Sequence, residues 1–104
     1  MSEHAGVPYN RKRRRAFNRI DAERIRQVEK WGGAEHDRQH GMSFWIALLS
    51  ERVGRAASVL IDGVNNDAIL TTMAYEDRLV EIAACAVAAL EASDASDVAP
   101  VESP

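Results

Sequence analysis

The sequence holds a single cysteine and three prolines, and none of its apolar runs is long enough to cross a bilayer. Each shortage excludes something. One cysteine, Cys85, permits neither an internal disulfide nor a multi-cysteine zinc site. It sits in the apolar run IAACAVAAL (82–90) and reads as a small core residue. That run is far shorter than the ~20 residues of a spanning helix. The start, MSEHAGVPYN, has no apolar signal core, so a soluble, cytoplasmic protein with no membrane partner is expected. Proline and glycine are scarce in the middle of the chain, and no segment alternates with the period of a strand. There is no internal repeat and no glycine-rich phosphate loop. No serine or threonine stands in a recognisable arrangement with a base and its orienting partner.

What is present describes one small helical domain. The 104 residues are 46% hydrophobic and 28% charged, a globular balance in a chain short enough to gain stability by pairing. The net charge of −3 conceals an asymmetry. Residues 1–15 carry the run RKRRR (Arg11–Arg15) against one acid, Glu3, for +4, which leaves −7 on the remainder. We therefore read a flexible basic arm (1–15), a helical domain (16–92) and a disordered acidic tail (93–104).

Three helices are predicted. The first spans roughly 17–31 with Phe17, Ile20, Val28 and Trp31 on one side, and Gly32-Gly33 stop it. After the loop GGAEHDRQHGM, Ser43 is the expected N-cap of a second helix over roughly 44–62. This helix is apolar on two sides. Ile46, Leu49, Val53, Ala57 and Leu60 form the main stripe; Phe44, Trp45, Leu48 and Val59 form another that encloses Arg52 and Arg55. Asp62-Gly63 and Asn65-Asn66 mark a turn. The third helix begins near 68 or 73 and ends near 92, with Thr71-Thr72 a potential break. Its face of Leu79, Ala83, Ala86 and Leu90 is small enough for close helix approach.

Three constellations carry chemistry. Arg52 and Arg55 either pair with Glu51 on a wet surface, worth about 0.3–0.5 kcal/mol, or line a cleft and grip an anion in bidentate geometry. The loop EHDRQH (35–40) offers His36, Asp37 and His40, either as metal ligands or as capping and loop hydrogen-bonding groups. The run Arg11–Arg15 is either solvated or a contact for nucleic acid or an acidic partner.

Taken together, ERIRQVEKWGGAEHDRQHGMSFWIALLSERVGRAA and RLVEIAACAVAALEA resemble the MazG-like proteins of phages and bacteria over about residues 20–92. The most specific points are Gln27 with KWG (30–32), the HD at 36–37, Trp45 and the closing LVEIAACAVAALE. The resemblance implies an all-α antiparallel bundle completed by dimerisation. It also implies kinship with magnesium-dependent nucleoside triphosphate pyrophosphohydrolases, which carry EExxE on one helix and ExxD on the next. Here those motifs read ERVGR and RLVE: Glu51 stays, Arg52, Arg55 and Arg78 occupy acidic positions, and Glu81 stands where Asp is usual. Cations repel magnesium. The expectation is therefore a degenerate, non-catalytic member that binds a nucleotide or phosphate through Gln27, Lys30, Trp31, Arg52, Arg55 and Arg78, with Trp31 or Trp45 able to stack a base. Magnesium enters only if the family activity is retained, with Glu51, Glu81, His36 and Asp37 the remaining candidate ligands. The alternative is a non-catalytic interaction module that binds nucleic acid or an acidic partner through the basic arm.

Overall fold

The computed structural model describes residues 11–33 and 37–94, and over these the protein is all-α. Its helices are α1 (Arg11–Trp31), α2 (Met42–Asp62) and α3 (Ala68–Ser93). Both α1 and α2 pack on α3. The first ten residues of the expected arm, and the expected tail beyond Asp94, lie outside the described residues.

The helix ends follow from local chemistry. Helix α1 starts at Arg11, well upstream of the expected start near 17, so RKRRR forms its first turns. Arg and Lys are good helix formers, and no proline interrupts them. The helix stops where Gly32 turns to φ 101° and donates its N–H to the Val28 carbonyl at 2.8 Å. Helix α2 begins one residue before Ser43. Gly41 holds the cap position without a side-chain bond, and Ser43 lies exposed inside the first turn, so it is not the cap. Gly63, at φ 68°, closes α2 through its N–H to the Val59 carbonyl at 2.9 Å. Asn65 and Asn66 adopt left-handed conformations in the turn, which Asn tolerates better than most residues. Asp67 then caps α3 by accepting from the Leu70 N–H at 2.9 Å. Thr71 and Thr72 do not break the helix, because their hydroxyls donate to the carbonyls of Asp67 and Ala68 one turn back.

The hydrophobic core is thin. Trp45 packs with Cys85 and Ala88, framed by Leu48, Leu49, Ala89 and Ala92, and among the described residues no large side chain is fully buried. Faces expected to be inside are outside. In α2 the stripe read as the main one is split: Leu49 packs at the edge of the core, while Ala57 is exposed and Ile46, Val53 and Leu60 are 64%, 52% and 61% exposed. The other stripe is split too: Trp45 is buried and Leu48, Arg52 and Val59 are half-buried, while Phe44 and Arg55 stay exposed. In α3 the chain buries Ala84, Cys85 and Ala88, while Leu79 and Leu90 of the expected face stay exposed. In α1 the buried positions are polar, Arg24 and Gln27, while Phe17, Val28 and Trp31 remain exposed. Ile46, Val53 and Leu60 of α2 and Leu79 and Leu90 of α3 are thus left exposed.

Candidate functional site

The polar inner side of α1 meets α2 and α3 around two adjoining cavities. Arg24 organises the first. It is buried and donates Nη2 to the Asp37 carboxylate, and it donates Nε to Glu91 Oε1 at 2.8 Å. One guanidinium thereby ties α1 to the loop before α2 and to the last turns of α3. Asp37 is also buried, so the pair is a structural strut rather than an available ligand set.

Beside this strut lies a cavity of about 310 Å³ lined by Arg24, Gln27, Trp31, Asp37, His40, Phe44, Trp45, Leu48, Arg52 and Cys85, among others. It is largely aromatic. His40 stacks on Phe44 with ring centroids 3.8 Å apart, and Phe44 meets Trp45 edge-on at 5.4 Å. The sequence signal for the stack is the i, i+4 spacing of His40 and Phe44. Trp45 is 8% exposed, and its indole N–H is buried without a hydrogen-bond partner. A buried donor left unmatched costs about 1–3 kcal/mol. At the floor of the cavity, burial pushes the Cys85 thiol up from its usual pKa, which keeps it a protonated packing group.

The second cavity, of about 320 Å³, is lined by Glu23, Arg26, Gln27, Lys30, Trp31, Arg52, Arg55 and Glu81. Five of the six expected binding residues therefore share one cleft, which adjoins the aromatic cavity through Gln27, Trp31 and Arg52. The sixth, Arg78, does not line it but donates to Glu81, which does, at 3.0 Å. Arg26 was not anticipated. It is exposed and grips Glu23 with two hydrogen bonds of 2.9 and 2.7 Å. That bond holds the Glu23 carboxyl below its ordinary range. Its spacing from Lys30, i to i+4, was the available signal.

The charges of the cleft are only partly spent on one another. Arg55 pairs with Glu51 at 2.6 Å, the wet-surface pair that the spacing allowed. Arg52 reaches Glu51 only at 3.8 Å and is mostly covered, its side chain 16% exposed. Lys30 places Nζ 4.8 Å from the centre of the Trp31 ring. Arg52 and Lys30 are thus the cations with the least carboxylate around them, and both face the same opening.

Magnesium does not fit these residues. Glu51 and Glu81 each accept from an arginine, and Arg52, Arg55 and Arg78 are the cations beside them. Among the described residues no group of three His, Cys, Asp or Glu side chains is placed to hold a metal ion. Asp37 sits apart, spent on Arg24, and His36 lies outside the described residues. No helix among the described residues is long and apolar enough to cross a membrane.

No family model, curated protein or solved structure matches this chain.

Proposed function

We propose that this is a MazG-like helical protein that binds a nucleotide, or a ligand of similar phosphate-bearing chemistry, without magnesium. The observation that carries the reading is the convergence of Lys30, Arg52, Arg55, Gln27 and Trp31 on one cleft that opens beside an aromatic cavity. Guanidinium groups hold phosphate oxygens in bidentate geometry, and indole rings offer a planar base a stacking surface. Phosphates would meet Arg52 and Lys30; a base would lie toward Trp31, Phe44 and Trp45. Arginines stabilise phosphate charge but do not generate hydroxide from water, so the reading is binding rather than hydrolysis. Calorimetry with a panel of nucleotides and with inorganic triphosphate, in magnesium and in EDTA, tests it. Binding should survive EDTA and vanish on Arg52→Glu. Binding that requires magnesium, or no binding across the panel, overturns it.

The same reading includes a homodimer. Ile46, Val53 and Leu60 recur every seven residues along α2 and are exposed, as are Leu79 and Leu90 of α3. Ala83 and Ala86 between the leucines let a second helix pair approach closely. A patch of this kind on a thin core is best covered by a second copy, which would complete a four-helix layer and leave α1 outside. Light scattering behind size exclusion at micromolar concentration checks it: the parent should run as a dimer and Val53→Lys as a folded monomer. A parent that elutes as an 11.5 kDa species refutes the pairing.

A further inference from the structure

The first turns of α1 break the local rules of helix design. Every residue from Arg11 to Arg19 is exposed, and the segment RKRRRAFNR carries six cations and no acid. With the whole chain at −3, the remainder then carries −9. A helix N-terminus is the positive end of the backbone dipole and favours acids, yet the first turn of α1 holds none. Arg11 with Arg14 and Arg15, and Lys12 with Arg15, are like-charge pairs at i, i+3 and i, i+4, which weaken a helix further. At a rotation of about 100° per residue, Arg11, Lys12, Arg13 and Arg14 occupy four successive quadrants, so charge surrounds the helix. Departures from local consistency of this kind mark functional positions.

We propose that this end of α1 is a docking element for double-stranded nucleic acid, inserted into the DNA major groove and held by phosphates on both walls. The argument is one of shape and charge, and it is independent of the nucleotide reading because it uses none of the cleft residues. A helix with side chains is about 10–12 Å across, and the major groove is about 12 Å wide. Cations on all sides suit a helix flanked by two phosphate backbones, whereas a flat acidic protein surface would engage one side only. A membrane surface is disfavoured because the segment offers only Ala16 and Phe17 as apolar side chains, too few for an interfacial face. Arginine predominates in the run, the residue best matched to phosphate. Arg19 is not part of the contact: it bonds Glu76 at 3.0 Å and Asp77 at 3.2 Å and so fixes the angle at which α1 leaves α3. The acidic remainder repels the duplex and orients the approach, leaving the α1 end as the surface that can dock.

Fluorescence anisotropy of a labelled 20-base-pair duplex, titrated with the full chain across a KCl series, tests the proposal. Arg11, Lys12, Arg14 and Arg15 engaging about four phosphates give a log–log salt slope near −3.6, hence about 150-fold weaker binding at 200 mM than at 50 mM. A variant with Arg11, Lys12, Arg14 and Arg15 all changed to Gln keeps good helix formers. It should retain its circular dichroism, bind at least ~10-fold more weakly at 50 mM salt and lose most of the slope. Single-stranded DNA, poly-glutamate and anionic vesicles serve as competitors, and each should displace the duplex poorly. Equal affinity for single strand or poly-glutamate, capture by vesicles, or an unchanged slope in the variant overturns the proposal.

Discussion

Arg24 is the side chain on which the arrangement of α1 most depends, and replacing it by Met gives a sharp test of that view. Methionine keeps an unbranched apolar stem in the same space and removes only the guanidinium. The loss has two parts of unequal size. Arg24 and Asp37 are both buried, and breaking such a pair by removing one partner typically costs about 3–5 kcal/mol, because the other charge stays desolvated. The bond to Glu91 ends on a half-exposed carboxylate, so its share is at most about 1 kcal/mol. Domains of this size hold about 5–15 kcal/mol in total, and a core without a fully buried large side chain belongs at the lower end. Arg24→Met should therefore leave the protein close to unfolding at room temperature.

Urea unfolding followed by circular dichroism measures this, with Asp37→Asn and the double variant completing a cycle. Asp37→Asn should cost less, about 1–3 kcal/mol, because Arg24 keeps Glu91 as a counter-charge and the amide still accepts a hydrogen bond. The double variant should be more stable than the sum of the singles implies, since both charges of the pair are then removed together. Glu91→Gln should lie within about 1 kcal/mol of the parent. An Arg24→Met protein within about 1 kcal/mol of the parent, or strict additivity in the cycle, would refute the account of Arg24 as a buried strut.

Other outcomes follow from the same geometry. Trp45→Phe removes an unmatched buried donor and keeps the ring in the core, so unfolding free energy should change by less than about 1 kcal/mol, against about 3–5 for Trp45→Ala. Glu51→Gln and Glu81→Gln release Arg55 and Arg78 from exposed or part-exposed pairs worth about 0.3–1 kcal/mol, so triphosphate affinity by calorimetry should rise roughly two- to fivefold. Pyrophosphate release with magnesium or manganese should stay at background, and turnover that either substitution abolishes would show a working metal site. Because Arg26 holds the Glu23 carboxyl low in the folded state, its contribution is fully present above the ordinary carboxylate pKa and disappears as pH falls through the lowered one. The Tm difference between parent and Glu23→Gln should thus be constant above about pH 5 and vanish in strong acid.

Much of the helical order was legible in the residues, because the relevant signals are local. Gly32 ends α1 and Gly63 ends α2 through backbone geometry that few other residues adopt readily, and Asp67 caps α3 with its own side chain. The starts of α1 and α2 were less legible. Good helix formers extend α1 to Arg11 despite unfavourable charge, and α2 begins from Gly41 with no side chain to announce it. The cleft was legible in part, since Gln27, Lys30, Trp31, Arg52 and Arg55 do gather, but the strut of Arg24 and Asp37 was not. Nothing in the spacing of two residues on either side of a loop reports that they meet.

The assignment of faces was least legible, and its failure has a physical cause. Amphipathic patterning ranks the sides of a helix by hydrophobicity, and on that ranking the uncharged stripe of Ile46, Val53 and Leu60 belongs inside. The chain instead turns Trp45, Leu48 and Arg52 inward. Trp45 is the largest apolar group on α2, and it seats against Cys85 and Ala88, which are small enough to receive it. Arg52 tolerates that side because its stem lies along the cavity wall with Leu48 and Trp45 while its charged end faces the cleft. The side chosen for the chain's own core is thus the one that can carry a ligand opening as well. The stripe left outside is purely apolar, carries no charge that solvent would reward, and repeats every seven residues. The proposed homodimer would use that inversion: a second copy would cover the uncharged stripe, and the arginine-bearing side would stay with the cleft.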